Sequence, residues 1–521
     1  MTVAHDDILT REVAVADTVD IPRYSIFSPW QKNCIISLAA IAGWFSSMSS
    51  FIYFPAIPFL APDLHVDIQR VNLTVTAYLI MSGIFPSIIG DAADRFGRRP
   101  LFLVALAIYI VANIGLALQS HFALLFFFRM LQSAGISGTF SLAYGVLSDL
   151  FTPAERGGYS GVISLLYGPQ TCSPSRLVAA HTGYSLNTPP SLGPVFGGLL
   201  LLRWSWRSVF WFLVVASAPC TILMAVVLPE TARSIVGDGS RPTPGLNTPL
   251  SNLLSPKHAR VQHTDAPLLL PQRDSRTFPN PLASLKLLRF PDTAIILVAY
   301  GINYTVYCCL QASLSTLFVE VYQVSGLVAG LVYIPFGVGC AVTAFATGKL
   351  LDFNYRKTAA ECGIPVEKGK ATSTTDFPIE RARLRTVKLS VALSGAFIMG
   401  YGWLLQARTP MAWPLVLQFF IGTTIQTLFT AFNTLLVDIH PECPSTAQAA
   451  CNFVRCEMAA ACLAALDPLL RRLGPGWTFV LFGVTMSLVV TMIFLLERKG
   501  MKWRQSRSQR AQQTLHRPPV T

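Results

Sequence analysis

Gly90-Asp91-Ala92-Ala93-Asp94-Arg95-Phe96-Gly97-Arg98-Arg99 separates two long apolar runs, residues 71–90 and 101–119. Charge this dense beside hydrocarbon has to reach water, so the stretch reads as a tight turn at a membrane edge. Gly90 and Gly97 let the chain reverse and allow close helix approach. Arg95, Arg98 and Arg99 mark the turn as cytoplasmic, because basic loops are retained on that side. Asp94 can pair with a neighbouring arginine or a helix N-terminus. One reading makes the turn a topology anchor; the other gives its charges a part in function.

The rest of the chain agrees with a membrane edge at this point. Of its 521 residues, 52% are hydrophobic and 13% charged, with a mean hydropathy of +0.49. A soluble chain would carry about 25% charged residues, so this is an all-α membrane protein. Runs able to cross about 30 Å of hydrocarbon lie at residues 34–55, 71–90, 101–119, 122–149, 157–202 (interrupted), 208–228, 292–317, 326–351, 388–406, 412–437, 446–469 and 476–496, which makes twelve. Residues 229–291 are rich in Pro, Ser and Arg without a sustained helical period. They read as a cytoplasmic linker between two six-span halves, 34–228 and 292–496, flanked by cytoplasmic tails at 1–33 and 497–521. Residues 1–33 hold five acidic and three basic side chains and no apolar core. No cleavable signal peptide is expected there, and the first span serves as its own insertion signal.

With the N-terminus in the cytoplasm, 30 of the 40 Lys and Arg fall in cytoplasmic segments and 6 in external loops. The other 4, Arg129, Arg176, Lys349 and Arg455, lie within or interrupt spans. This asymmetry supports the orientation. The net charge of +13 then needs no nucleic-acid partner, because anionic leaflets take basic loops. Arg498, Lys499, Lys502, Arg504, Arg507 and Arg510 read as a solvated, lipid-facing end. The 11 cysteines form no external pair, so no disulfide framework is expected. His440-Pro441-Glu442-Cys443 supplies too few ligands for a metal centre, and no cofactor is expected.

The spacing G-x-x-x-D-R-x-G-R-R between spans two and three resembles the signature loop of the major facilitator superfamily of secondary transporters. Ala92 stands where that family usually has leucine. In the fifth span, Ser191-Leu192-Gly193-Pro194-Val195-Phe196-Gly197-Gly198 resembles the G-P-x-x-G-G element of the proton-antiporter branch. On the residues alone, the glycines permit tight packing and Pro194 kinks the helix, which a packing motif without a mechanistic role would also explain. In the fourth span, Leu125-x-x-x-Arg129-x-x-Gln132-Ser133 resembles the L-x-x-x-R-x-x-Q-G pattern, with Ser133 in place of the glycine. Its guanidinium cannot be neutralised and must face the protein interior. The resemblance implies that Arg129 takes part in proton coupling; a structural arginine bonded to backbone carbonyls is the competing reading.

A narrower likeness runs from about residue 35 to residue 497. It is carried by Gly145-Val146-Leu147-Ser148-Asp149 through Pro153-Ala154-Glu155-Arg156, by Pro229-Glu230-Thr231-Ala232-Arg233, and by Phe432-Asn433 through Asp438. These stretches look like the fungal drug:proton antiporters of the quinidine-resistance type. The resemblance implies the major facilitator fold: two six-helix bundles related by an axis along the membrane normal, around a midplane cavity. It also implies a monomeric exporter of drugs, toxins or secondary metabolites in the plasma membrane. One segment departs from the pattern. Tyr167-Gly168-Pro169-Gln170 should run almost directly into Pro190, but Thr171 to Pro189 intervene with prolines, Arg176 and His181. No spanning helix tolerates that. Residues 171–189 are either a retained intron, translated in error, or an insertion that loops out of the fifth span.

Cargo residues are argued from polar faces. In the seventh span Asn303, Tyr307 and Gln311 recur every four residues, joined by Tyr300 and Tyr304; in the tenth, Thr423, Gln426, Thr427, Thr430, Asn433 and Thr434 do the same. Such stripes either line a cavity for an amphipathic or cationic small molecule or hold the bundle together by interhelical hydrogen bonds. Glu457, in the eleventh span, is the clearly embedded acid. It is read as a second proton-coupling candidate or as a charge paired with another helix. A proton-driven exporter is the expected function. A non-transporting sensor on the same fold and a proton-coupled importer are the alternatives. An enzyme is not expected, since no span carries a nucleophile–base pair or metal set.

Overall fold

The computed structural model describes residues 25–151, 189–237, 239, 241, 247–250, 284–362, 377–440 and 444–515. The first span, α1 (Pro29–Phe51), starts where its sequence provides a start. Ser28 accepts from the Gln31 N–H, the Gln31 side chain accepts from the Ser28 N–H, and Pro29 occupies the first turn. The N-terminal half continues with α2 (Ile68–Phe96), α3 (Arg98–Leu118), α4 (Phe122–Leu150), α5 (Pro189–Arg203) and α6 (Arg207–Val227). The C-terminal half comprises α7 (Pro291–Tyr322), α8 (Ile334–Glu361, preceded by the short helix Gly326–Leu331), α9 (Val387–Gln406) and α10 (Ala412–Ile439), then a helical run Pro444–Leu515. Gly474, at φ 74°, breaks that run into α11 (444–473) and α12 (475–515). Glycine takes the left-handed position at a helix end, and Pro475 begins the next helix where no N–H is needed. Nine helical stretches among the described residues are long and apolar enough to cross a bilayer, the last of them being α11 and α12 together. With α4 and α5 the spans number twelve.

The halves repeat each other. The packed pairs α2/α4, α3/α4, α3/α6 and α1/α5 recur as α8/α10, α9/α10, α9/α12 and α7/α11. Two of the contacts that join the halves, α2/α11 and α5/α8, exchange with one another under the same correspondence. Pairwise recurrence of this kind is what two bundles related by a two-fold pseudo-axis require.

Four expectations need correction. The stretch Gly90–Arg99 is not an open turn: α2 stays helical through Phe96, and the reversal is confined to Gly97, at φ 107°. Arg98 and Arg99 do not face water either, being 8% and 4% exposed. The linker does not begin as free chain, for Glu230, Thr231 and Ala232 are buried against the N-terminal half and Arg233–Val236 is helical. Nor is the basic C-terminal segment a solvated end throughout, although Arg498, Lys499 and Lys502 are exposed. Helix α12 runs on to Leu515, and Arg504 and Arg507 dock on the C-terminal half, Arg504 to Glu380 at 3.0 Å and Arg507 to Asp292 at 2.9 Å. Charges hidden this way were paired with groups far away in sequence, which hydropathy does not register. Of residues 171–189, all but Pro189 at the start of α5 lie outside the described residues, as do Pro441 to Cys443.

Candidate functional site

The signature loop is built around Glu230. Its carboxylate accepts from the backbone N–H of Arg98 (2.8 Å) and Arg99 (3.1 Å), and from those of Thr231 (3.0 Å) and Ala232 (2.9 Å). An acid here caps α3, whose first N–H groups have no partner within the helix. Arg98 donates to Asp149 at the end of α4 (3.1 Å), Arg99 to the Ala225 carbonyl of α6 (2.6 Å), and Arg233 to the Asp149 carbonyl (3.0 Å). Gly90 faces α4, where an added Cβ would lie 3.6 Å from Ser141 Oγ. Arg95 is in the last turn of α2. Asp94 is on the same turn; its side chain lies outside those described. The C-terminal half has a counterpart: Arg383, just before α9, donates to Asp438 at the end of α10 (2.9 Å), and Arg507 donates to the Ile439 carbonyl (3.0 Å).

Arg129 of α4 is fully buried between two tyrosines, its guanidinium 4.1 Å from the Tyr53 ring centre and 4.4 Å from that of Tyr78. Its Nη1 donates to Gln132 Oε1 (2.6 Å), and Gln132 Nε2 to Asn113 Oδ1 (2.7 Å). Asn113 donates to the Tyr109 carbonyl (2.8 Å), and the Tyr109 hydroxyl meets Ser49 Oγ (2.6 Å). Four helices are thus tied to one charge. Ser133 donates to the Tyr78 carbonyl (2.6 Å), the contact that a glycine in that position could not make. Arg129 Nε and Nη2 have no partner, and among the described residues no carboxylate reaches the guanidinium.

The seventh-span face divides into two. Tyr300, Tyr304 and Tyr307 converge on Phe429 of α10, with ring centres 5.3, 6.2 and 5.7 Å away. Tyr307 also reaches across to Phe51 of α1, at 5.8 Å. Asn303 and Gln311 are fully buried, and both polar atoms of each amide lack a hydrogen-bond partner. The tenth-span stripe is largely spent inside its own helix: Thr427, Thr430 and Thr434 donate to the carbonyls of Thr423, Gln426 and Thr430. Gln426 turns to Thr430 (3.4 Å), and Asn433 accepts from Gln448 of α11.

Helix α11 closes the middle. Arg455 donates to Asn452 Oδ1 from Nε (2.9 Å) and Nη2 (2.6 Å) and lies 4.6 Å from the Tyr304 ring centre. Asn452 in turn donates to the Ser82 carbonyl of α2 (2.7 Å), a bond between the halves. Glu457 is half-buried with Oε1 unpartnered, and an added Cβ on Gly83 of α2 would lie 2.8 Å from that oxygen. Arg129 and Glu457 are not brought into ion-pair contact. Sequence reasoning missed Tyr53, Tyr78 and Phe429 and had Glu230 only as part of a stretch of likeness, without its capping role; the Asn452-x-x-Arg455 spacing was the one signal present for the Arg455 pair.

The halves seal at the end remote from Gly97. A Cβ on Gly198 would lie 2.9 Å from the Gly330 Cα, and one on Gly330 would lie 2.6 Å from the Pro194 carbonyl oxygen. Gly193 packs on α1, 3.0 Å from Phe51 Cβ by the same measure, and Gly197 faces Ile52. Ser315 of α7 donates to the Phe54 carbonyl (3.0 Å). The glycines of this segment are therefore packing surfaces for both α1 and the short helix Gly326–Leu331 that precedes α8.

Comparison with known proteins agrees with this architecture. Residues 39–465 match the Major Facilitator Superfamily. The MFS-type transporter phiD of a fungal species is 35% identical over 96% of this chain and 73% of its own. The MFS-type transporter tstD of Talaromyces stipitatus is 33% identical over 94% of this chain and 86% of its own. Citrate exporter 1 of Aspergillus niger is 33% identical over 95% of this chain and 91% of its own. Among solved structures, the human organic anion transporter MFSD10 (TETRAN) superposes with a TM-score of 0.55 at 17% identity, covering 90% of this chain and 100% of that one, a likeness of fold. The chain is a multi-pass membrane protein and belongs to the Major Facilitator Superfamily of transporters.

Proposed function

We propose that this protein exports small organic molecules, such as drugs, toxins or secondary metabolites, across the plasma membrane by proton antiport with alternating access. The observation that carries the reading is the way the halves meet. They are sealed by Gly198 against Gly330 at one end, while Asn452, which holds Arg455, and Glu457 meet α2 across the seam and Arg129 is buried within the N-terminal half. Relatives named as transporters, one of them as a citrate exporter, support transport and the outward direction. Asn303, Tyr304, Tyr307, Gln311, Gln426, Thr430 and Asn433 form the cargo region of this reading, Asn303 and Gln311 being fully buried in this form with amides that have no hydrogen-bond partner.

Glu457 is the proton carrier in this scheme, because it is a half-buried carboxyl at the α2/α11 seam with an oxygen left unbonded. Protonation removes a charge from that seam and so favours one packing of the halves over the other. Arg129 supplies the fixed charge against which that change is felt, and Asp94 with its arginines latches the cytoplasmic side. The test is efflux of a compound panel from energised cells with and without a protonophore. Export is expected to stop when the gradient collapses; export continuing at its full rate sinks the antiport reading.

A further inference from the structure

Arg129 and Arg455 stand one in each half, and both are held in the same unusual way. Arg129 lies against two tyrosine rings and Arg455 against one, and each has a neutral amide, Gln132 or Asn452, as its hydrogen-bond partner. Among the described residues no carboxylate reaches either guanidinium. A guanidinium cannot shed its proton, and ring faces and amides offset part of its charge and no more. Two buried or half-buried positive charges, one in each half, therefore stand without a countercharge among the described residues. Arg129 is sealed behind its tyrosines, whereas Arg455 is partly exposed, as are its neighbours Tyr304 and Phe429. The embedded acid does not answer it. Glu457 is two positions on, about 200° around the helix, and its Oε1 faces Gly83 of α2.

We propose that Arg455, set over Tyr304 and next to the cluster at Phe429, is the charge-reading element of the cargo site, and that the cargo is an organic anion: a carboxylate on an apolar or aromatic body. The guanidinium fork takes a carboxylate through paired N–H donors, and the tyrosine and phenylalanine faces take the body. A cationic solute in the same place meets like charge in a low dielectric, with Arg129 adding to the repulsion. This reverses the sign that aromatic stripes alone suggest. It rests on the transport reading above, whose cargo site it specifies.

Fluorescein and rhodamine 123 share a ring system and carry opposite charge, which makes them matched probes; citrate adds a small tricarboxylate. Binding is read without a gradient, as thermal stabilisation of the purified full chain, and flux in proteoliposomes with a proton gradient. Fluorescein is expected to stabilise the protein and rhodamine 123 is not, with citrate, which lacks the apolar body, stabilising it less than fluorescein. Arg455→Gln is expected to weaken the anion's apparent affinity at least tenfold with the unliganded midpoint little changed, and Arg455→Lys to recover part of it. Stabilisation by rhodamine 123 alone, by none of the probes, or by an anion with undiminished affinity for Arg455→Gln overturns the proposal. Anion binding without gradient-driven flux overturns the export reading and leaves the anion site standing; gradient-driven flux of rhodamine 123 alone does the reverse.

Discussion

A guanidinium between Tyr53 and Tyr78 depends on being planar as well as charged, because a ring face stacks on a plane and only touches a point charge. Arg129→Ala and Arg129→Lys are both expected to reach the membrane and to lose proton-driven export by about tenfold or more, roughly 1.4 kcal/mol in the barrier, the alanine variant losing more. Flux normalised to membrane abundance reads this, and a lysine variant with the wild-type rate and pH dependence shows the plane to be dispensable. Glu230 is a different kind of residue, holding four backbone N–H groups at 3% exposure. Glu230→Ala strands those donors, so a loss of stability on the order of 2–4 kcal/mol is expected, read as a lower thermal midpoint in detergent. His440, beyond the end of α10, is held down to about 4 by burial and then by the Arg507 guanidinium 3.5 Å away, with Asp292 partly opposing. The unfolded chain takes up a proton near pH 6.5 that the folded chain refuses until about 4. The stability it contributes is therefore complete above the first value and is lost as pH falls through the second. The thermal midpoint should fall less steeply across that window in His440→Asn than in the wild type. Arg129 was legible in the sequence because one cation interrupts an apolar run; Tyr53 and Tyr78 were not, since nothing local marks a tyrosine as a partner of a residue two spans away.

Hydropathy located the helices because each must fill the same thickness of hydrocarbon, and it misplaced their ends where charge is buried. Helix α2 carries Asp91, Asp94 and Arg95 inside its last turns. A charged run reads as a loop, yet a helix that projects past the hydrocarbon keeps its backbone bonded and lets side chains find partners. The α5 glycines were legible as a packing surface, but what they pack on was not, because α1 and the short helix Gly326–Leu331 are distant in sequence. Gly198 and Gly330 each leave room for hydrogen alone. A methyl at either place must part the helices, so Gly198→Ala and Gly330→Ala are expected to shift the protein toward the form open at that end. Accessibility of a cysteine placed at Leu201 to a membrane-impermeant maleimide measures the shift. Unchanged labelling in both variants removes the seam from the mechanism.

Across the whole molecule, the two halves repeat their chemistry as well as their packing. Arg98–Asp149 fastens the start of α3 to the end of α4, and Arg383–Asp438 fastens the approach to α9 to the end of α10. The chain leaving α6 secures the first clasp through Arg233, and the C-terminal part of α12 itself secures the second through Arg507. Asp149→Asn and Asp438→Asn should each lower the thermal midpoint, and because they sit in different halves their effects should add to within about 0.5 kcal/mol. A clearly greater loss in the double variant means that the clasps communicate through the interface. The seam between the halves has a further consequence for the cell that carries it. Where Gly198 meets Gly330 there is no space for a methyl group and so none for a file of water, and without water a proton has nothing to hop along. Under the proton antiport proposed above, an idle copy in this form would pass no standing proton current through this contact, so many copies could wait without discharging the membrane.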